Sequence, residues 1–406
     1  MRISSLGRVT LIGVVGALAL AACSNSSTSS GGSSGGLAAT TAASGSGAAA
    51  SGGTVKIAFQ GPLSGDNQQL GINEVNAVRL AVEEANTKGD LGFTTQLVEA
   101  DDVGAPATAP PAAAKILQDP AVLGVIGPSF SGATKAVGKT YGDAGLAIIT
   151  PSATNATLQD QGFTTYHRIV PDDNVEGTQA AEWFARKGLK NVFIVDDLSD
   201  YGKGVADAVE AGLKTAGVSV TRQGVDAKTT DYSPIATQVQ SSGAEAIFYG
   251  GYDAQASQFA KALKSAGFTG LTVTGNGGKS SVFTDGAGDA GNGWYFTCGC
   301  LDATIAPDAK AFADAYQAKF NTPPSTYSPE AYDATNTLLQ AIKEASAKGT
   351  PTRASVLEAV NNVDYSGITA DIKFQANGEL ATVPAVSLYQ QEAGVIKSVG
   401  LLKDQN

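Results

Sequence analysis

From residue 54 onward the chain alternates short apolar runs with amphipathic stretches. Val55-Lys56-Ile57-Ala58-Phe59 predicts a strand. The next stretch, 69–86, carries Val75, Val78, Val82 and Ala85 at three- and four-residue spacing, which predicts a helix with one buried stripe. Further strands are expected at 94–98, 122–126 and 146–149, with helices near 107–117 and 134–143. A second set begins after Pro171. It has a helix near 176–187 and strands at 192–195, 218–222, 246–249 and 271–273, separated by helices near 204–216, 235–242 and 255–266. Short apolar strands alternating with amphipathic helices predict an α/β fold with parallel sheets covered on both faces. After a strand at 294–297 come helices near 307–320, 330–347 and 353–360, then strand-like 372–374 and 386–389. The late helices predict that the chain returns to the first of two lobes.

The first 53 residues follow no such rule. Arg2 and Arg8 flank the start of an apolar run, 9–20, that is too short to span a bilayer. It ends in Leu20-Ala21-Ala22-Cys23, which resembles a bacterial lipobox. That resemblance implies an export signal over 1–23 and lipidation of Cys23. Residues 24–53 are almost wholly Ser, Gly, Ala and Thr without charge, a composition expected of a flexible tether. Together these features predict a body held on the outer face of the cell membrane.

Composition narrows the chemistry. With 27 basic and 38 acidic residues the net charge is −11, so a phosphate backbone would be repelled and no nucleic-acid partner is expected. One histidine and three cysteines leave few ligands for zinc, haem or iron–sulfur sites. No metal or other cofactor is expected. Gly275-Asn276-Gly277-Gly278-Lys279-Ser280 imitates the end of a phosphate-binding loop, but Val273 stands where the first glycine is required. His167, the sole histidine, reads as structural. Asp101-Asp102 and Asp196-Asp197 read as turn-positioning acids at strand ends, because adjacent strand positions face opposite sides. Cys298 and Cys300 are so close in sequence that either two thiols or a strained bond is expected.

Six stretches in order resemble the leucine/isoleucine/valine-binding family of solute-binding proteins. They are 57–65 (IAFQGPLSG), 125–128 (VIGP), 149–154 (ITPSAT), 200–202 (DYG), 249–252 (YGGY) and 331–334 (AYDA). The resemblance implies two Rossmann-like lobes of the type I periplasmic binding fold, joined by three crossovers. These are expected near Val170, Cys298 and Gly367. The lobes are then 54–170 plus 299–367, and 171–298 plus 368–406.

Ligands of open α/β sheets bind beyond the carboxyl ends of strands, beside helix N-termini. After the 122–126 strand, Ser129, Phe130 and Ser131 lead into a helix. Ser131 is either a simple cap or part of an anion site. The resemblance implies the latter, with Ser131 on a carboxylate. It further implies that the Ser152 carbonyl and the Thr154 hydroxyl take an ammonium, with Ala153 between them, and that Tyr201 and Tyr252 close from the second lobe. Ser129, Phe130 and Tyr327 would line the side-chain pocket, with Asn276 in the loop after the 271–273 strand. Two positions depart from the family. Gly277 replaces its ammonium-binding acid, and Leu70 replaces a tyrosine. Asp253, Asp173 and Glu330 are candidate substitutes for that acid.

The expected protein is a monomeric, lipid-anchored binding component of an ABC importer, working with permease and ATPase subunits and performing no catalysis. Its solute would be a branched-chain amino acid, or a related amino acid or carboxylate. The alternatives are a sensor of the same fold, or a ligand such as an amide or aromatic acid.

Overall fold

The computed structural model describes residues 53–406. The export signal, Cys23 and nearly all of the tether lie outside the described residues. The first lobe opens with β1 (Thr54–Gly61), α1 (Gln68–Lys88), β2 (Thr94–Asp101) and α2 (Ala109–Leu117). It continues through β3 (Val122–Ile126), α3 (Ser131–Asp143), β4 (Ala147–Thr150) and β5 (Tyr166–Arg168). The five strands form a parallel sheet in the order β2-β1-β3-β4-β5. Every residue of β3 and β4 is buried, as a sheet sandwiched between helices requires.

The second lobe begins with α4 (Asp173–Arg186), β6 (Asn191–Asp196), α5 (Asp200–Thr215), β7 (Ser219–Gly224) and α6 (Ser233–Ser241). β8 (Ala246–Gly250), α7 (Asp253–Ser265), β9 (Leu271–Thr274), α8 (Ser281–Ala287) and β10 (Tyr295–Cys298) follow. The chain then returns. α9 (Lys310–Phe320), α10 (Ser328–Ala347) and α11 (Arg353–Asn361) pack Phe312, Leu338, Ile342 and Val356 into the first-lobe core beside Ile57 and Val78. The short strands β11 (Tyr365–Ser366) and β12 (Asp371–Ile372) pair with each other. Finally β13 (Ser387–Glu392) and β14 (Val395–Leu401) add an antiparallel edge to the second sheet, whose order is β14-β13-β10-β9-β8-β6-β7.

The architecture is thus α/β in two lobes, with three differences from the sequence expectation. β5 is only three residues long, and β14 shows no buried residue, so neither leaves an apolar run to read. The third crossover is later than Gly367. Ile372, Phe374 and Leu380 still pack in the first-lobe core, and Arg168 N–H donates to Gly378 O. Asp333 holds the Gly367 region there by accepting from the Ile368 and Thr369 N–H groups. The chain crosses only between Leu380 and Val386, which joins the second-lobe core.

The other crossovers pack on one another. Cys298 and Cys300 form a disulfide around Gly299, where a Cβ would stand 2.6 Å from the Pro171 ring. Leu301 N–H donates to Glu330 Oε1 at 2.7 Å, and Tyr389 OH donates to Cys300 O at 2.9 Å. These bonds tie the second crossover to both lobes.

Arg168 anchors the cleft side of the first lobe. Its side chain is wholly buried and forms two bonds to the Glu379 carboxylate, at 3.0 and 2.6 Å. It also donates to Ala153 O at 3.1 Å and Asn155 O at 2.9 Å. The loop after β4 is therefore clamped to the segment preceding the third crossover. Removing one member of a buried, hydrogen-bonded pair leaves an uncompensated charge. Arg168→Ala is therefore expected to cost about 3–5 kcal/mol in urea denaturation. Lys135→Ala, which breaks the half-exposed pair with Asp200, should cost less than about 1 kcal/mol.

Candidate functional site

The carboxyl ends of the two sheets face each other across a narrow cavity nearly filled by its own side chains, with about 10 Å³ open to the centre of a water-sized sphere. That is room for about one water molecule, so a solute enters only when the lobes part. First-lobe residues Leu70, Glu74, Ser129, Phe130, Ser131 and Ser152 line one side. Tyr201, Tyr252, Asn276 and Gly277 line the other, with Tyr327 contributed from the start of α10. Eight of the ten residues expected from the sequence share this cavity. Ala153 and Thr154 do not line it. Ala153 is held back by its own bonds, its N–H to Thr150 Oγ1 and its carbonyl to Arg168.

Ser131 opens the 13-residue helix α3, whose first N–H groups have no partner within the helix. Its hydroxyl oxygen accepts from Asn155 N–H at 3.2 Å, so its own hydrogen remains free to donate. Helix N–H groups and a free hydroxyl together favour an anion. Ser152 Oγ donates to Ser129 O at 2.7 Å, and Ser129 Oγ donates to Glu74 Oε2 at 2.6 Å. The polar floor of the first lobe is one connected chain.

Aromatic rings form the opposite wall. Phe130 stacks on Tyr252 across the lobes, with centroids 4.3 Å apart and planes 15° from parallel. Tyr252 leans on Tyr201 at 5.1 Å. Lys135 Nζ to Asp200 Oδ1 and Asn155 Nδ2 to Asp200 O, both 2.6 Å, fasten the rim. Tyr327 is held at φ 66°, a left-handed conformation that bulky residues rarely adopt, and its buried hydroxyl has no partner.

Gly277 has a steric reason. A Cβ there would lie 2.5 Å from Tyr201 Cε1 and 2.9 Å from Gly251 O. Gly277 N–H donates to Tyr201 OH at 2.9 Å, so the loop carries the ring that excludes any side chain. Gly277→Ala is expected to destabilise the second lobe by about 1–3 kcal/mol through overpacking, read as a lower urea midpoint.

None of the three acids suggested as substitutes lines the cavity. Asp253 accepts from Ser280 Oγ at the start of α7. Glu330 accepts from Leu301 at the hinge. Asp173 is wholly buried at the start of α4, and neither of its carboxyl oxygens has a partner. The acid that does line it is Glu74, which the sequence reading passed over. The available signal was a carboxylate four residues after Leu70, on the buried face of α1. The remaining suspects are structural. Asp101 accepts from the N–H groups of Leu63 and Val103, and Asp197 from Ser199 N–H. His167 is buried, with Asn361 and Ile148 O beside its two nitrogens.

Burial pushes three cleft and hinge carboxyls upward, Glu74 and Glu330 to about 8 and Glu176 to about 7. Each group binds its proton more tightly folded than unfolded. Its stabilisation is complete below about 4.5 and is lost as pH rises through the folded value. The melting temperature is therefore expected to fall between about pH 4.5 and 8 and to level off above that. Glu74→Gln combined with Glu330→Gln should flatten that slope in thermal melts.

A family model described as periplasmic binding protein matches residues 54–394, and the chain belongs to that family. It is 32% identical over 353 residues to the Leu/Ile/Val-binding protein BraC3 of Rhizobium johnstonii, covering 84% of this chain and 93% of that one. It is 28% identical over 294 residues to the Leu/Ile/Val-binding protein of Escherichia coli, covering 72% and 80%. Among solved structures, it is 27% identical, with a TM-score of 0.79, to the branched-chain amino acid transporter substrate binding protein LivJ of Streptococcus pneumoniae in complex with isoleucine. The superposition covers 86% of this chain and 99% of LivJ. The leucine binding protein LivK of Thermotoga maritima gives the same TM-score and coverage at 25% identity. The family consists of extracytoplasmic substrate-binding proteins.

Proposed function

We propose that this chain is the lipid-anchored solute-binding component of an ABC importer, which closes its two lobes on a small amino acid and releases it chemically unchanged to a permease. The observation carrying this reading is the convergence of polar groups from both lobes on one small, ring-walled cavity. The free Ser131 hydroxyl and the start of α3 suit the solute's carboxylate. Tyr201 and Tyr252 supply broad apolar area with little entropy to lose, and suit the hydrocarbon part. Phe130 and Tyr327 add to that wall.

Closure follows from the same geometry. A solute that touches the first-lobe floor and the second-lobe rings together gains its full contacts only when the lobes meet. It therefore shifts the open–closed equilibrium toward the closed form. The names of BraC3 and of LivJ with its isoleucine favour a branched-chain amino acid as that solute. The Ser129–Glu74 pair makes one end of the pocket polar, so related amino acids belong in the same screen.

The test is thermal shift followed by calorimetry across amino acids, keto acids, amides and aromatic acids. A bound solute should raise the melting temperature and be recovered unaltered. Against the best solute, Ser131→Ala should weaken affinity about 10- to 100-fold, the scale of a hydrogen bond to a charged group. Tyr252→Ala should weaken it comparably while leaving the fold intact. Unchanged affinity in both variants would reject this cleft.

A further inference from the structure

Of the side chains lining the cavity, ten carry neither a carboxyl nor a basic group, and the eleventh is Glu74. Its environment is unusual for a structural acid. The side chain is fully buried, yet only Oε2 is satisfied, by Ser129 Oγ, while Oε1 has no partner. A buried carboxyl oxygen left unpaired is costly, and a partner arriving from outside would remove that cost. The same cavity holds a second unpartnered group, the Tyr327 hydroxyl.

The surroundings favour a cation. Asp102, just past the end of β2, and Glu330, on α10, are the charged-type neighbours of Glu74 and both are acids, while Ser129 and Ser152 approach it as hydroxyls. Across the gap, Glu176 and Asp173 add further acid beneath Tyr201 and Tyr327. The buried cations are engaged elsewhere. Arg168 is bound to Glu379, and Lys279 bonds Thr326 Oγ1 and lies over the Tyr389 ring. No basic side chain lines the cavity to neutralise Glu74. On the second lobe the Tyr201 ring bars any carboxylate from position 277.

We propose that Glu74 is the specificity-determining acid of this cleft, receiving the solute's cationic nitrogen from the first lobe and so selecting amino acids over the corresponding keto acids. This rests on the reading that the cleft binds an amino acid. Burial pushes the empty-cleft carboxyl up to about 8, so most of it carries a proton at pH 7. An ammonium placed against it favours the ionised form. The solute keeps its three nitrogen-bound hydrogens, the carboxyl O–H breaks, and the proton leaves to buffer. Binding then releases close to one proton per solute.

The experiment is titration calorimetry at pH 7 in two buffers of different ionisation enthalpy, with L-leucine and its keto acid 4-methyl-2-oxopentanoate as probes. Leucine is expected to bind about tenfold tighter than the keto acid or better, with an enthalpy that depends on the buffer. Glu74→Gln, which keeps an acceptor for Ser129, should lose about tenfold or more in leucine affinity and the buffer dependence, while keto-acid affinity stays within about twofold. The wild-type buffer dependence is independent of how well the variant folds. Leucine binding without proton release, or keto acid binding as tightly as leucine, overturns the role of Glu74 and leaves the cleft standing. Equal leucine affinity in the wild type and a folded Glu74→Gln variant does the same. Failure of both probes to bind the wild type overturns the amino-acid reading, and the proposal with it.

Discussion

The structure depends on one constraint: two parallel sheets present their carboxyl ends to each other, and whatever polar groups emerge there must find partners in a nearly dry gap. Loops and helix starts at those ends carry unpaired N–H and hydroxyl groups by construction. Most are satisfied locally, through Ser152 to Ser129 and Ser129 to Glu74 on one side, and through Gly277 to Tyr201 on the other. The few that are not, Glu74 Oε1 and the Tyr327 hydroxyl among those lining the gap, define what a solute must supply. Recognition is the residue of an incomplete hydrogen-bond network, and the Phe130–Tyr252 stack keeps that residue out of water.

The hinge obeys a related economy of contacts. Three chain crossings share little space, so their atoms pack directly: Gly299 on Pro171, Tyr389 on the Cys300 carbonyl, Glu330 on the Leu301 amide. Glu330 also opens toward the buried Lys279, whose carbonyl accepts from Thr326 of the first lobe. Buried ionisable groups therefore sit both at the cleft and at the pivot. Arg168 joins the two, since one side chain clamps the loop after β4 and the segment before the third crossover. A disturbance at the hinge has a short covalent and hydrogen-bonded route to the binding floor.

Legibility in the sequence varied with what each residue packs against. Helix interiors were readable because their stripes rest on a sheet. Helix starts at the cleft were not. α3 begins at Ser131 rather than near 134, α5 at Asp200 rather than 204, and α7 at Asp253 rather than 255. These first turns face the gap instead of the sheet, so they carry serine, tyrosine and aspartate where periodicity looks for apolar residues. The site occupies the portions that hydrophobic patterning leaves blank. Ordered short motifs filled the blank for Ser129, Phe130, Ser131, Ser152, Tyr201, Tyr252, Asn276 and Tyr327. They said nothing of Glu74, which lies inside a helix that patterning had already explained.

By itself, the chain's alternation of apolar runs and amphipathic stretches determined an α/β body in two lobes, and its acidic balance and scarce histidine and cysteine narrowed the chemistry. These properties are local or additive, and a linear reading recovers them. Only the tertiary structure decided the late third crossover, the bond between Cys298 and Cys300, and the choice of Glu74 over Asp173, Asp253 and Glu330 as the cleft's acid. Each of those turns on which distant surfaces meet. Asp173 and Glu330 are also buried, and what separates them from Glu74 is which surfaces meet around a gap that no single segment contains.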